Sequence, residues 1–118
     1  MPRQEMKLDS AVLYSNDVTA AVRFYTDLGL SLITDKSPAF AALAFENGVQ
    51  LAIKKSTEER ESPGCQTIFI DSANIEEVFA KAKSKNLNIR KELTTQPWGQ
   101  EFSLWDTDQN KVVFVKRS

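Results

Sequence analysis

The chain has 118 residues, 42% of them apolar, with 15 basic and 16 acidic side chains and a formal charge of -1, the profile of a soluble globular protein long enough to bury a core without staples. That balance excludes the basic footprint of a nucleic-acid binder, and no apolar run reaches membrane-spanning length. There is no histidine and a single cysteine, Cys65, which excludes Ser-His triads, Cys-His pairs, imidazole-built metal sites and an internal disulfide.

Leu8 to Tyr14 is β-prone and apolar on both faces, and Asn16 and Asp17 then break it and offer a helix cap. Val18, Ala21, Val22 and Tyr25 follow at i, i+3, i+4, i+7, an amphipathic helix for which Gly29 supplies the left-handed C-terminal position. Leu30 to Thr34, Phe40 to Phe45 and Val49 to Ile53 read as three strands, the last two joined by the hairpin signal Asn47-Gly48. A polar stretch, residues 54–64, ends in the turn pair Pro63-Gly64.

Cys65 to Ile70 opens a second unit as a strand, and Asn74 with Glu77 gives a capping-box-like helix start. Ile75, Val78, Phe79 and Ala82 each stand 57 positions after Val18, Ala21, Val22 and Tyr25. The same offset carries Gly29-Leu30 onto Asn86-Leu87, with asparagine where a left-handed residue is again expected. Asn88 to Leu93, Glu101 to Trp105 and Lys111 to Val115 complete the order. Lys81, Lys83 and Lys85 read as a solvated helix face.

The expected fold is therefore α+β: two tandem β-α-β-β-β modules, about 7–55 and 65–116, with the polar linker 54–64, in a single domain spanning 1–118. Their sheets would form a curved mixed sheet around a concave cavity, each helix covering the outer face of its own sheet. Met1 to Lys7 lacks the apolar stretch of a signal peptide, and a lone thiol suits a reducing compartment, so a cytoplasmic location is expected.

Three stretches in this frame resemble the vicinal oxygen chelate superfamily, the glyoxalase, bleomycin-resistance and extradiol-dioxygenase group. They are Leu8-Asp9-Ser10-Ala11-Val12-Leu13-Tyr14 with Asp17, then Arg23-Phe24-Tyr25-Thr26-Asp27-Leu28-Gly29-Leu30, and finally Pro97-Trp98-Gly99-Gln100-Glu101-Phe102 running through Asp106-Thr107-Asp108-Gln109-Asn110. The resemblance covers nearly the whole chain. It implies up to four inward metal ligands, on the first, fourth, fifth and eighth strands, and these positions fall on Ser10, Gln50, Cys65 and Val113. Neutral oxygens, one thiol and a valine do not make a usable site for a hard divalent ion. The resemblance thus points to a member without the metal site, and no cofactor is expected.

Strand alternation from those positions puts Ser10, Val12 and Tyr14, then Cys65, Thr67 and Phe69, on the concave side, together with Gln50, Ala52, Glu101, Ser103, Trp105 and Val113. This set either lines a pocket for a flat or amphipathic organic ligand or packs together or against a second subunit. Trp105 and Trp98 are the stacking platforms, Trp98 being equally suited to capping an apolar edge. Glu101 is the one candidate acid or base if its pocket is dry; exposed or ion-paired, it has no such role. Cys65 has no activating neighbour in sequence and is expected to pack. Tyr14 offers a hydroxyl to a ligand or to the fold.

Asp106-Thr107-Asp108-Gln109-Asn110 begins like a calcium loop, but Lys111 and Arg117 stand where glycine and glutamate are needed. Asx-type hydrogen bonding in a hairpin accounts for it. No phosphate-cradling glycine motif is present.

The leading expectation is metal-independent binding or sequestration of a small, possibly aromatic organic molecule, of the bleomycin-resistance type, by a homodimer. The alternatives are an enzyme of the same superfamily, of lyase, isomerase or dioxygenase type, with Glu101 or unrecognised metal ligands, and a protein-interaction module.

Overall fold

The computed structural model describes residues 6–118. The chain runs β1 (Ser10–Ser15), α1 (Val18–Leu28), β2 (Ser31–Lys36), β3 (Phe40–Ala44), β4 (Gln50–Lys55), then β5 (Thr67–Asp71), α2 (Ile75–Ser84), β6 (Asn88–Gln96), β7 (Gly99–Trp105) and β8 (Lys111–Arg117). The β-α-β-β-β order expected from the 57-residue offset therefore occurs twice. Each unit forms one four-stranded mixed sheet, in the order β1-β4-β3-β2 and β5-β8-β7-β6. In both, the first and last strands pair in parallel and the other pairs are antiparallel. No strand of one sheet is hydrogen-bonded to a strand of the other among the described residues, so the sheets do not close into a barrel.

Helix α1 ends where its caps dictate. The Asp17 carboxylate accepts from the Ala20 N–H at 3.1 Å, meeting one of the orphan donors of the first turn. Gly29, at φ 115, closes the helix and donates to the Thr26 carbonyl; a Cβ there would cost about 1 kcal/mol. In α2 the left-handed residue is Asn86, at φ 55, as the repeat requires. Asn74 occupies the N-cap position, but its side chain makes no capping bond. In place of the expected capping box, Glu76 and Glu77 face the positive end of the helix dipole, and Lys81 and Lys83 sit at the negative end.

The helix-covered faces of both sheets feed one continuous core. Leu13, Leu43, Leu51 and Ile53 meet Ala21, Phe24 and Tyr25 of α1, while Phe102, Leu104, Val112 and Phe114 meet Ile75 and Ala82 of α2. Phe114 stacks on Phe102 with ring centroids 4.7 Å apart, and Phe79 lies against Phe102 at 5.0 Å, contacts worth about 0.5–1.5 kcal/mol each beyond burial.

Two hydrogen bonds lock the units together, beside a solvent-facing Lys85–Asp27 ion pair at 3.8 Å. The Tyr25 hydroxyl donates to Asp106 Oδ2 at 2.6 Å, and the Asn16 N–H donates to Asp108 Oδ1 at 3.0 Å. Asp106 is buried and also accepts from Asp108 N, Asn110 N and Asn110 Nδ2. This is the Asx-type hairpin expected of residues 106–110, and the helix tyrosine makes it an anchor between units.

Most strand boundaries differ from expectation by one to three residues, and the start of β5 is the one that moves a candidate site residue off its strand. β5 opens at Thr67, and Cys65 is exposed in the turn before it, its Sγ 3.5 Å from Ser62 Oγ. The cause is Gly64, at φ 84, whose backbone lies so close to the Asp108 carbonyl that a Cβ would come within 2.5 Å of that oxygen. The chain has to pass the β7–β8 turn before Lys111 N can reach Gln66 O and pairing can begin.

Candidate functional site

Each sheet has one face in the core and one face turned away from its helix. In the first sheet the parallel register sets Ser10 opposite Gln50, Val12 opposite Ala52 and Tyr14 opposite Lys54. β3 continues the rows with Ala44, Ala42 and Phe40. Since successive strand residues point to opposite faces, Ser10, Val12, Tyr14, Gln50 and Ala52 share the face opposite Leu13, Leu51 and Ile53. Three alanines make the middle of that face shallow, and Val12 at its edge is 44% exposed.

Lys54 extends the row, a place that its position in a polar linker does not signal in the sequence. Its Nζ lies 5.9 Å from the centre of the Tyr14 ring and 2.7 Å from both carboxylate oxygens of Glu61. Glu61 is buried, also accepts from Thr57 N at 2.9 Å, and its carbonyl accepts from the Ser56 hydroxyl. The Lys54 hydrogen bond, with that of the Thr57 N–H next, holds its carboxyl down to about 2. The linker is thereby tied to one end of the first open face.

The second sheet collects more of the candidates. Phe69 lies opposite Val113, which lies opposite Ser103; Thr67 opposite Lys111, which lies opposite Trp105; and Glu101 lies opposite Val115. Thr67, Phe69, Glu101, Ser103, Trp105 and Val113 thus share the open face. Phe69 is 68% exposed, a large apolar side chain with no cover of its own. Cys65, off the strand, has no place in this register.

Two cations join this face through a fault in the strand. Between Ile89, opposite Leu104, and Lys91, opposite Ser103, the β6 register shifts by one residue. Such a bulge breaks alternation and lets neighbouring side chains share a face. Arg90 Nη1 donates to Ser103 Oγ at 3.3 Å, and its guanidinium lies 5.5 Å from the Trp105 ring centre. Lys91 Nζ lies 3.6 Å from Glu101 Oε1. Glu101 therefore faces the open side but is ion-paired, with its side chain 25% exposed; the dry, unpaired carboxylate that acid–base work would use is not what the structure contains.

The four positions at which the resemblance implies metal ligands can be compared through strand pairing. Ser10 does lie opposite Gln50. The residue opposite Val113 is Phe69, so the fifth-strand position moves from Cys65 to Phe69. A hydroxyl, an amide and two hydrocarbon side chains do not fit a divalent ion. Among the described residues no three His, Cys, Asp or Glu side chains are grouped to hold one.

A cleft of about 580 Å³ runs between the units, bordered by Leu28, Leu30 and Phe45 on one side and Phe69, Val78 and Phe114 on the other. Phe69 is the one predicted site residue on its wall. Tyr25 and Asp106 lie away from both open faces; burial, then the Asp106 charge, pushes the Tyr25 hydroxyl far above the ordinary phenol range. That pair works in the fold.

The sequence profile of the Glyoxalase/Bleomycin resistance protein/Dioxygenase superfamily matches residues 7–114. No curated protein matches the sequence. Among solved structures the chain is similar to TnmS3, an antibiotic binding protein from Streptomyces sp. CB03234, with 15% identity, 99% of this chain and 100% of that one covered, and a TM-score of 0.83. It is similar to TioX from Micromonospora sp. ML1, with 15% identity, coverage of 96% and 100%, and a TM-score of 0.81. It is also similar to lactoylglutathione lyase from Agrobacterium tumefaciens, with 15% identity, coverage of 97% and 96%, and a TM-score of 0.78. These likenesses establish the fold.

Proposed function

Because the chain belongs to the Glyoxalase/Bleomycin resistance protein/Dioxygenase superfamily, we propose that it binds and sequesters a small organic molecule, aromatic in character, on the open sheet faces, without a metal ion and without transforming the ligand. The observation that carries this reading is the second open face, where Phe69 stands 68% exposed in the same row as Val113 and Ser103, one row from Trp105. A monomer gains nothing from holding a phenylalanine in water, and a large exposed apolar side chain on the same face as an indole suits a site for a flat molecule.

The donor-poor set Ser10, Gln50, Phe69 and Val113 supports metal independence, since none supplies the anionic oxygen or imidazole a divalent ion needs. The likeness to an antibiotic-binding protein supports sequestration. We place the protein in the cytoplasm as a homodimer, in which the exposed Val12 and Phe69 of one copy are covered by the other. The Lys91–Glu101 pair supports binding over an enzymatic reading that uses Glu101 as its free acid or base.

The test uses Trp98→Phe, which leaves Trp105 as the only indole. Titration with a panel of aromatic antibiotics is expected to give saturable quenching of Trp105 emission by at least one member. Emission unmoved by every member, with no heat of binding by calorimetry, would count against ligand binding on this face.

A further inference from the structure

The geometry points to an anionic ligand: Arg90 is the group that receives the charge, and an apolar ligand body lies along Val113 and Phe69. This inference rests on the proposed binding function and names its ligand class. Arg90 occupies the β6 bulge, exposed, with one hydrogen bond, to Ser103 Oγ, and its guanidinium over the Trp105 ring. A guanidinium carries five N–H donors. Among the described residues no carboxylate lies within ion-pair distance of Arg90, while the neighbouring cation Lys91 is paired with Glu101. The face therefore presents Arg90 without a counter-charge beside Trp105, and Lys111, in the row of Thr67 and Trp105, is a second cation on it.

Arg90 is also held in place. Ser103, itself buried, holds one nitrogen, and the guanidinium carbon lies 5.5 Å from the Trp105 ring centre, which leaves the remaining donors of a planar fork for carboxylate, sulfonate or phosphate oxygens. The row containing Ser103 runs through Val113 to Phe69. At about 4.8 Å between strands, β6 and β5 at its two ends lie roughly 14 Å apart. That span suits a body of two or three fused or linked rings with its acid group at one end. A neutral or cationic ring system would leave the guanidinium desolvated without a counter-charge.

Two dyes of nearly equal shape separate charge from stacking: 1-anilinonaphthalene-8-sulfonate, which is anionic, and N-phenyl-1-naphthylamine, its neutral counterpart. On the native protein the sulfonate is expected to bind about tenfold more tightly than the neutral dye, the worth of one charge-assisted hydrogen bond. Arg90→Gln should erase that advantage and leave the neutral dye within about twofold. Arg90→Lys, which keeps the charge but loses the fork, should restore part of it. Arg23→Gln removes the same charge from the exposed surface of α1 and should change neither dye. If the neutral dye binds as tightly as the sulfonate, or Arg90→Gln and Arg23→Gln act alike, charge selection by Arg90 is overturned while binding at the face stands. If neither dye binds the folded protein, both this inference and the binding function fail.

Discussion

Replacing Tyr25 by phenylalanine removes one oxygen and tests whether the two units are held by the bond to Asp106. The hydroxyl sits 2.6 Å from Asp106 Oδ2 in a fully buried setting, and Asp106 keeps three other donors, Asp108 N, Asn110 N and Asn110 Nδ2, when it goes. A hydrogen bond to a charged acceptor is worth about 1.5–3 kcal/mol, and the surviving donors place the loss in the lower half, at about 2 kcal/mol. Unfolding entropy of about 2.1 cal/mol/K per residue gives roughly 0.25 kcal/mol/K for 118 residues, so Tm should fall by about 8 °C.

The effect is pH-dependent. Burial and the Asp106 charge raise the Tyr25 hydroxyl well above its ordinary value, so the folded chain keeps the proton where the unfolded chain loses it. The stability that Tyr25 contributes is complete below about pH 10 and declines as the pH climbs beyond it. The gap between the native protein and Tyr25→Phe in urea unfolding should therefore be constant from about pH 7 to 9 and narrow above about 10. A Tm within about 2 °C of the native value, or a gap that does not narrow in alkali, would refute the assignment of this pair as the tie between units.

Glu61→Gln should destabilise the linker clamp at neutral pH. Because the Glu61 carboxyl is held down to about 2, the difference from the native protein in urea unfolding should persist above about pH 4.5 and vanish as pH falls toward 2. Gly99→Ala would set a Cβ 2.0 Å from the Lys116 carbonyl at φ 146; with backbone on the other side of the clash, the loss should exceed about 3 kcal/mol and show as a collapsed yield of folded protein. Phe69→Ser should leave the stability of the isolated chain within about 0.5 kcal/mol, since the ring is 68% exposed, yet weaken both dye binding and self-association in sedimentation velocity.

Local rules in the sequence were sufficient for most of the backbone. Asp17 and Gly29 delimit α1, Asn86 repeats the left-handed stop, and the 57-residue offset between helices fixes the duplicated order. What alternation could not convey is where it breaks. The β6 bulge turns Arg90 and Lys91 onto one face, a rearrangement decided by pairing with β7 and not by the residues of β6. β5 starts two residues later than the sequence pattern implies for a related reason: Gly64 must pass the Asp108 carbonyl, a long-range contact that a turn signal does not contain. The Tyr25–Asp106 bond joins residues 81 apart in the chain, and periodicity alone marks Tyr25 as one more apolar contact. Of the candidate site residues, those in the strands follow strand alternation, and Cys65 lies outside the β5 register.

Ligand binding on the open faces without a metal is checked by measuring the metal content of protein purified without chelator and then titrating 1-anilinonaphthalene-8-sulfonate before and after exposure to a strong chelator. No divalent ion near stoichiometry and the same affinity in both titrations are expected. A tightly held divalent ion at one equivalent per chain, with binding that disappears on chelation and returns on reconstitution, would contradict metal-independent binding.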